Sequence, residues 1–240
     1  MSTRLLHIVA TPRGLASNTG RISSVLLEEL DARYQDLSVT TLDLFSADLP
    51  AVAGSNIKSK YALMTGQSID EAARSSWGEI EKTIEGFLDA DVYLMTVPMW
   101  NFSIPYALKY YIDCLVQPGY TFGYGVDGVY GMVKDRKMVV ITSRGNNYSP
   151  DSPMHQYDQQ EPYLRTVFGF IGFDDIDFIN AEPMDVDPHR REVALEQAKR
   201  RARPGPTGRC IRDGRCLTRA RQNPHHRRHR RRSRPGRLRQ

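Results

Sequence analysis

The chain has 240 residues, of which 40% are hydrophobic and 25% charged, proportions that suit one α/β domain with a substantial core. The formal net charge of +5 averages two unlike parts: residues 199–240 carry 17 of the 33 Lys and Arg but only Asp213 of the 28 acidic residues, leaving a strongly acidic body. That body argues against a nucleic-acid-binding core. Three cysteines argue against a disulfide framework, no apolar run approaches a membrane span, and the lack of a signal-peptide-like start makes the cytoplasm the expected location.

A first buried strand is expected at 5–9, running into the turn Thr11-Pro12-Arg13-Gly14-Leu15-Ala16-Ser17-Asn18-Thr19. Ile22, Val25, Leu26, Leu27 and Leu30 then mark a helix over 20–34. Ser17, Asn18 and Thr19 are good N-cap residues, and the free N–H groups of a helix start favour a phosphate, with Thr11 nearby. Basic side chains are scarce in the body, so hydroxyls, backbone N–H groups and the helix dipole would have to hold it. A second strand is expected at 39–44, a short helix near residues 58–64 within the long stretch 45–69, a helix at 70–89 and a third strand at 92–97.

That third strand leads into Pro98-Met99-Trp100-Asn101-Phe102-Ser103-Ile104-Pro105, followed by a helical pattern over 105–116. A thioether, two aromatics and an amide at the C-terminal end of a strand stand where open α/β sheets bind ligands. The bracketing prolines stiffen the segment, so that apolar walls and main-chain groups could meet the face and edge of a flat polar ring such as an isoalloxazine. The competing reading is an ordinary strand–loop–helix connection.

Residues 119–137 break the rhythm, with Asp127-Gly128 as a hairpin signal. Gly123-Tyr124-Gly125-Val126-Asp127-Gly128 formally matches G-x-G-x-x-G, but a dinucleotide fingerprint must link a strand to a helix, and this one does not. The hairpin is either a flap carrying Phe122 and Tyr124 over a ring, the favoured reading, or plain surface. A fourth strand at 138–143 ends in Ser143-Arg144-Gly145-Asn146, where Gly145 permits close backbone approach. A helix at 161–171, a strand at 176–179 and a helix at 188–201 complete the alternation. Alternating strands and helices imply a parallel sheet.

The chain has no convincing acid–base or nucleophile set. His7 reads as a satisfied core residue, and His155, His189 and Cys114 read as structural. Arg144 either meets an anionic ligand or pairs with a carboxylate. In the tail, Cys210, Cys216, His225 and His229 lack both the spacing and the apolar positions of a zinc finger, so no metal is expected. The last helix, capped by Asp187 with Pro188 at its first position, dissolves into Arg and Pro after Lys199. Residues 200–240 are therefore expected to be a disordered basic tail, either native or an out-of-frame product. Any nucleic-acid binding there would be nonspecific.

Several segments together resemble the FMN-dependent NADH-azoreductases, flavodoxin-like enzymes that also reduce quinones. They are the Thr11–Thr19 turn, Pro98 to Pro105, Pro118-Gly119-Tyr120-Thr121-Phe122, Thr142-Ser143-Arg144-Gly145, Glu161-Pro162-Tyr163-Leu164-Arg165-Thr166, and Phe168-Gly169-Phe170-Ile171-Gly172. The resemblance covers residues 4 to about 198. It implies a flavodoxin-like α/β three-layer sandwich over 1–199, with a five-stranded parallel sheet in order 2-1-3-4-5 and helices on both faces. It also implies a homodimer whose active sites lie at the interface. FMN would be held by Thr11, Ser17, Asn18, Thr19, Met99, Trp100, Asn101, Phe102, Ser143, Arg144, Gly145 and Asn146. Phe122, Tyr124 and Phe170 would line the pocket for planar quinones and azo compounds. NADH or NADPH would supply electrons in a ping-pong cycle, with the cofactor carrying the chemistry. One departure is Asn146, which stands where the family has a second Gly. The alternative from another class is a flavodoxin-like electron carrier or FMN-binding module without turnover of its own.

Overall fold

A computed structural model describes residues 2–69 and 71–203. In chain order the elements are β1 Thr3–Val9, α1 Asn18–Arg33, β2 Leu37–Asp43, α2 Ser55–Met64, α3 Glu71–Leu88, β3 Val92–Pro98, α4 Tyr106–Leu115, β4 Phe122–Gly125, β5 Gly128–Gly131, β6 Lys137–Ser143, α5 Glu161–Ile171, β7 Asp175–Ala181 and α6 Pro188–Ala202. All pairings in the main sheet are parallel, in the order β2-β1-β3-β6-β7. With the β4–β5 hairpin set aside, this is the expected 2-1-3-4-5 order.

The strand period of two divides the apolar residues between two cores. On one face Leu6, Ile8, Tyr93, Met95, Val97 and Val140 meet Trp77, Ile80, Ile84 and Phe87 of α3, Leu108, Tyr111 and Ile112 of α4, and Leu164, Phe168 and Ile171 of α5. On the other, Leu5, Leu94, Val139 and Ile179 meet Ile22, Leu26 and Leu30 of α1 and Ala194, Leu195, Ala198 and Ala202 of α6. Each large side chain buried this fully contributes about 1.5–3 kcal/mol. The two-sided burial of β1, β3 and β6 explains their near-continuous apolar runs. β2, at the sheet edge, is exposed over Ser38 to Thr41.

Three expectations shift. The helix α6 does not break after Lys199 but runs to Ala202, which is fully buried, while Arg201 Nη2 donates to Phe178 O at 3.0 Å. The remainder of the basic tail, including Cys210, Cys216, His225 and His229, lies outside the described residues. The hairpin pairs Gly125 with Gly128, so its loop is Val126-Asp127, one residue earlier than an Asp-Gly turn. The Tyr130 ring lies across Gly123 and Gly125 and fixes that register, since a Cβ on Gly123 would strike it. His7, finally, is buried, but its Nε2 has no hydrogen-bond partner among the described residues.

Candidate active site

A cleft of about 130 Å³ opens at the C-terminal edge of the sheet. The β1–α1 turn supplies Thr11, Arg13, Ser17, Asn18 and Thr19, the end of β3 supplies Pro98 and Trp100, and β6 supplies Ser143. A 3-10 turn at Gly14–Ala16 folds back onto the first turn of α1. Gly20 permits this, because any Cβ there would run into the Leu15 backbone. Sequence reasoning had no signal for this glycine beyond its place in a helix start.

The Ser17 hydroxyl is committed locally. It donates to Gly14 O at 2.7 Å and accepts from Gly20 N at 3.0 Å, the N-cap bond of α1. By contrast, the backbone N–H groups of Asn18 and Thr19 have no acceptor among the described residues. Two free donors at the positive end of a 16-residue helix are an arrangement that favours an anion. Arg13 is the one charged side chain lining the cleft, and its Nη2 leans on Ala16 O at 3.4 Å.

The segment after β3 is a tight turn. Trp100 N donates to Ser103 O and Ser103 N to Trp100 O, both at 3.0 Å, and the two residues between have positive φ: 46° at Asn101 and 70° at Phe102. This is the arrangement of a two-residue turn with a left-handed centre, usually filled by Asn-Gly. Asn tolerates it, but a bulky Phe there is strained by roughly 1–3 kcal/mol and persists only where surrounding contacts over-determine it. The contacts are present. Phe102 O accepts from Gln159 N at 3.0 Å, and the Phe102 ring lies 5.6 Å from that of Tyr157. Trp100 packs with Phe45 and Tyr106 at ring separations of 5.8 and 6.3 Å. Met99 N bonds to Ser143 O at 2.9 Å, tying this turn to the third loop.

In that third loop the guanidinium of Arg144 pairs with carboxylates, the second of the two roles its sequence allowed. Its side chain is 1% exposed and faces Asp158 at 3.1 Å, Glu161 at 3.3 Å and Glu182 at 3.7 Å. Burial of this kind requires paired charges. At Gly145 a Cβ would meet the Asp185 carboxylate, and Asp185 N–H bonds to Gly145 O at 2.9 Å. Asn146 is exposed. The Arg144 network also shapes two acids. Glu161 is held below the usual carboxylate range because hydrogen bonds from Arg165 and Asn180 outweigh its burial, and Glu182 is pushed up by burial.

The three expected pocket aromatics cluster together, with Phe122 4.9 Å from Phe170 and 5.8 Å from Tyr124. They do not reach the cleft of their own chain. Phe170 sits at the last turn of α5, which runs antiparallel to the strands, and Gly131 of the hairpin packs on Ile171 and Gly172, just before β7 begins. The cluster therefore lies at the opposite end of a seven-residue strand, about 20 Å away. Phe168, two residues from Phe170, is a core residue stacked on Phe87.

A family profile described as having a flavodoxin-like fold matches residues 3–204. The chain belongs to this flavodoxin-like family. A relative from Nitratidesulfovibrio vulgaris named FMN-dependent NADH:quinone oxidoreductase is 36% identical over 203 residues, 82% of this chain and 97% of its own. One of the same name from Desulfotalea psychrophila is 39% identical over 199 residues, covering 82% and 93%. Among solved flavodoxin-like structures, an azoreductase from Bacillus anthracis superposes with a TM-score of 0.73 at 25% identity, covering 84% of this chain and 99% of its own. Among the described residues, no helix is long and apolar enough to cross a membrane, and no cluster of His, Cys, Asp or Glu could hold a metal.

Proposed function

We propose that this chain is an FMN-dependent oxidoreductase that passes two electrons from NADH or NADPH to quinones and azo compounds in a ping-pong cycle. The observation that carries the reading is the pair of acceptor-less N–H groups at Asn18 and Thr19, opening on the same cleft as Trp100 and Ser143. The residues fit the cofactor. The free amides suit a phosphate, with the Thr11 and Ser143 hydroxyls beside them, and Pro98 and Trp100 give an apolar wall. Sites for ligands of this size commonly enclose about 300–1,000 Å³, so a ring would extend past this cleft onto the Met99–Phe102 turn.

Bound there, FMN would supply two-electron redox chemistry between a nicotinamide and an acceptor. The chain binds and orients. Asn18 and Thr19 would hold the phosphate, Met99 to Phe102 would present the ring platform with Asn101 and main-chain groups at its edge, and Ser143, Gly145 and Asn146 would border it. Ser17 acts through the helix cap rather than through a hydroxyl of its own to spare. A planar acceptor needs aromatic cover, and Phe122, Tyr124 and Phe170 can supply it only to the cleft of a second copy. This supports a homodimer with sites at its interface.

Anaerobic titration with NADH tests the activity. The visible flavin band should bleach with one equivalent of NADH and return on adding a quinone, with parallel double-reciprocal rate plots. Bleaching that fails to occur would favour a passive electron carrier, and converging plots would replace the ping-pong order with a ternary complex.

A further inference from the structure

The strained turn at Asn101 and Phe102 is held from behind by the segment leading into α5. Gln159 N donates to Phe102 O at 3.0 Å, and Gln160 Nε2 donates to Val97 O at 3.2 Å, on the last buried residue of β3 before the turn. Gln160 is fully buried, and its Oε1 accepts from Arg144 Nε at 3.1 Å. Arg144 Nη1 in turn meets Asp158 Oδ2 at 3.1 Å, while the other oxygen of Asp158 accepts from the backbone N–H groups of Gln160 and Glu161 at 2.9 and 3.1 Å. One buried cation therefore fixes both the side chain of Gln160 and the backbone carrying Gln159.

A buried ion cluster seldom adds net stability over an apolar replacement of the same volume, so its presence behind a strained loop calls for a positional explanation. We propose that Gln160, clamped by Arg144, is a positioning residue that holds the Trp100–Ser103 turn in its left-handed conformation. Resting on the flavin reading above, the same strut sets where the turn meets the cofactor. Neither residue faces the cleft. Their effect passes through Val97 O and Phe102 O.

The test uses the full-length chain with Trp77→Phe, which leaves Trp100 as the reporter of the turn. In the FMN-free protein, Gln160→Met keeps volume but removes both side-chain hydrogen bonds. It should lower Trp100 anisotropy and raise its quenching by acrylamide. Gln160→Glu, which still accepts from Arg144 but brings no donor to Val97 O, should do the same while retaining the fold. Ile80→Val, a remote core change, should lower the melting temperature without moving the Trp100 signal. FMN affinity should fall about tenfold in both Gln160 variants and stay unchanged in Ile80→Val. An unmoved Trp100 signal in both Gln160 variants overturns the strut, as does a signal that merely follows melting temperature across all three. If the parent binds no FMN while Trp100 is still released, the strut stands and the flavin reading falls.

Discussion

At the scale of single residues, His7 carries a consequence for acid stability. It lies in the middle of β1 with no partner for Nε2, and burial pushes its pKa from 6.5 down to about 4. Between those values the unfolded chain binds a proton that the folded chain refuses, so stability falls as pH is lowered through the window. Over the whole window the loss approaches about 3 kcal/mol. Urea midpoints measured from pH 7 to 4.5 should fall in the parent and fall less in His7→Leu. Glu182, pushed up by burial, titrates in the opposite sense and is common to both proteins, so the difference isolates His7. Identical slopes would show that an acceptor or water stabilises the charged imidazole in the folded chain. The sequence placed His7 in a buried strand correctly. That its Nε2 lacks a partner was not readable, because that depends on which side chains the other strands and helices bring beside it.

At the scale of elements, hydrophobic period carried most of the architecture. The alternation of apolar runs located every strand of the main sheet to within two residues, because β1, β3 and β6 are buried on both faces. The helix expected over 188–201 ends within one residue of the observed α6, although the composition turns basic after Lys199. Arg200 and Arg201 look like the start of a solvated tail, yet Ala194, Ala198 and Ala202 recur at four-residue steps and carry the helix across the core. Ending the chain at Lys199 should therefore lower stability by about 1–3 kcal/mol, through lost burial of Ala202 and the lost Arg201–Phe178 bond. Ending it at Arg203 should leave stability near that of the full chain. Equal urea midpoints for the two truncations would show that the last turn of α6 contributes nothing. In the site, the helix start and the apolar wall could be read from local spacing. The Arg144 network could not, since its partners stand 14 to 38 residues away along the chain. The left-handed turn was equally hidden, because Trp-Asn-Phe contains no glycine to announce it.

At the scale of the whole molecule, the separation of the cleft from the aromatic cluster makes the proposed dimer testable. If each site pairs one chain's cleft with another's Phe122, Tyr124 and Phe170, two defective variants should complement each other. Asn18→Glu places a carboxylate against the anion site, and Phe170→Ala strips the aromatic cover. Each should be nearly inactive alone. An equimolar mixture, exchanged and reassociated, should recover about a quarter of the parent's rate, since half of the dimers are mixed and each holds one intact site. No recovery, in a mixture shown by mass to contain mixed dimers, would return the aromatics to their own chain.

The two unbonded amides at the start of α1 also give the protein a built-in gauge of occupancy. Ile22 and Leu26, a turn or two further on, sit in the helical ladder and the core, so their hydrogens trade with solvent only when the helix opens. Asn18 and Thr19 have no such bond to break. Thr19 is also shut off from solvent by burial, so it is the half-exposed Asn18 whose exchange in deuterated solvent should slow when an anion rests against it. On the proposed reading, the ratio of exchange at Asn18 to that deeper in the same helix would report how much of the population is loaded, independent of colour, redox state or turnover.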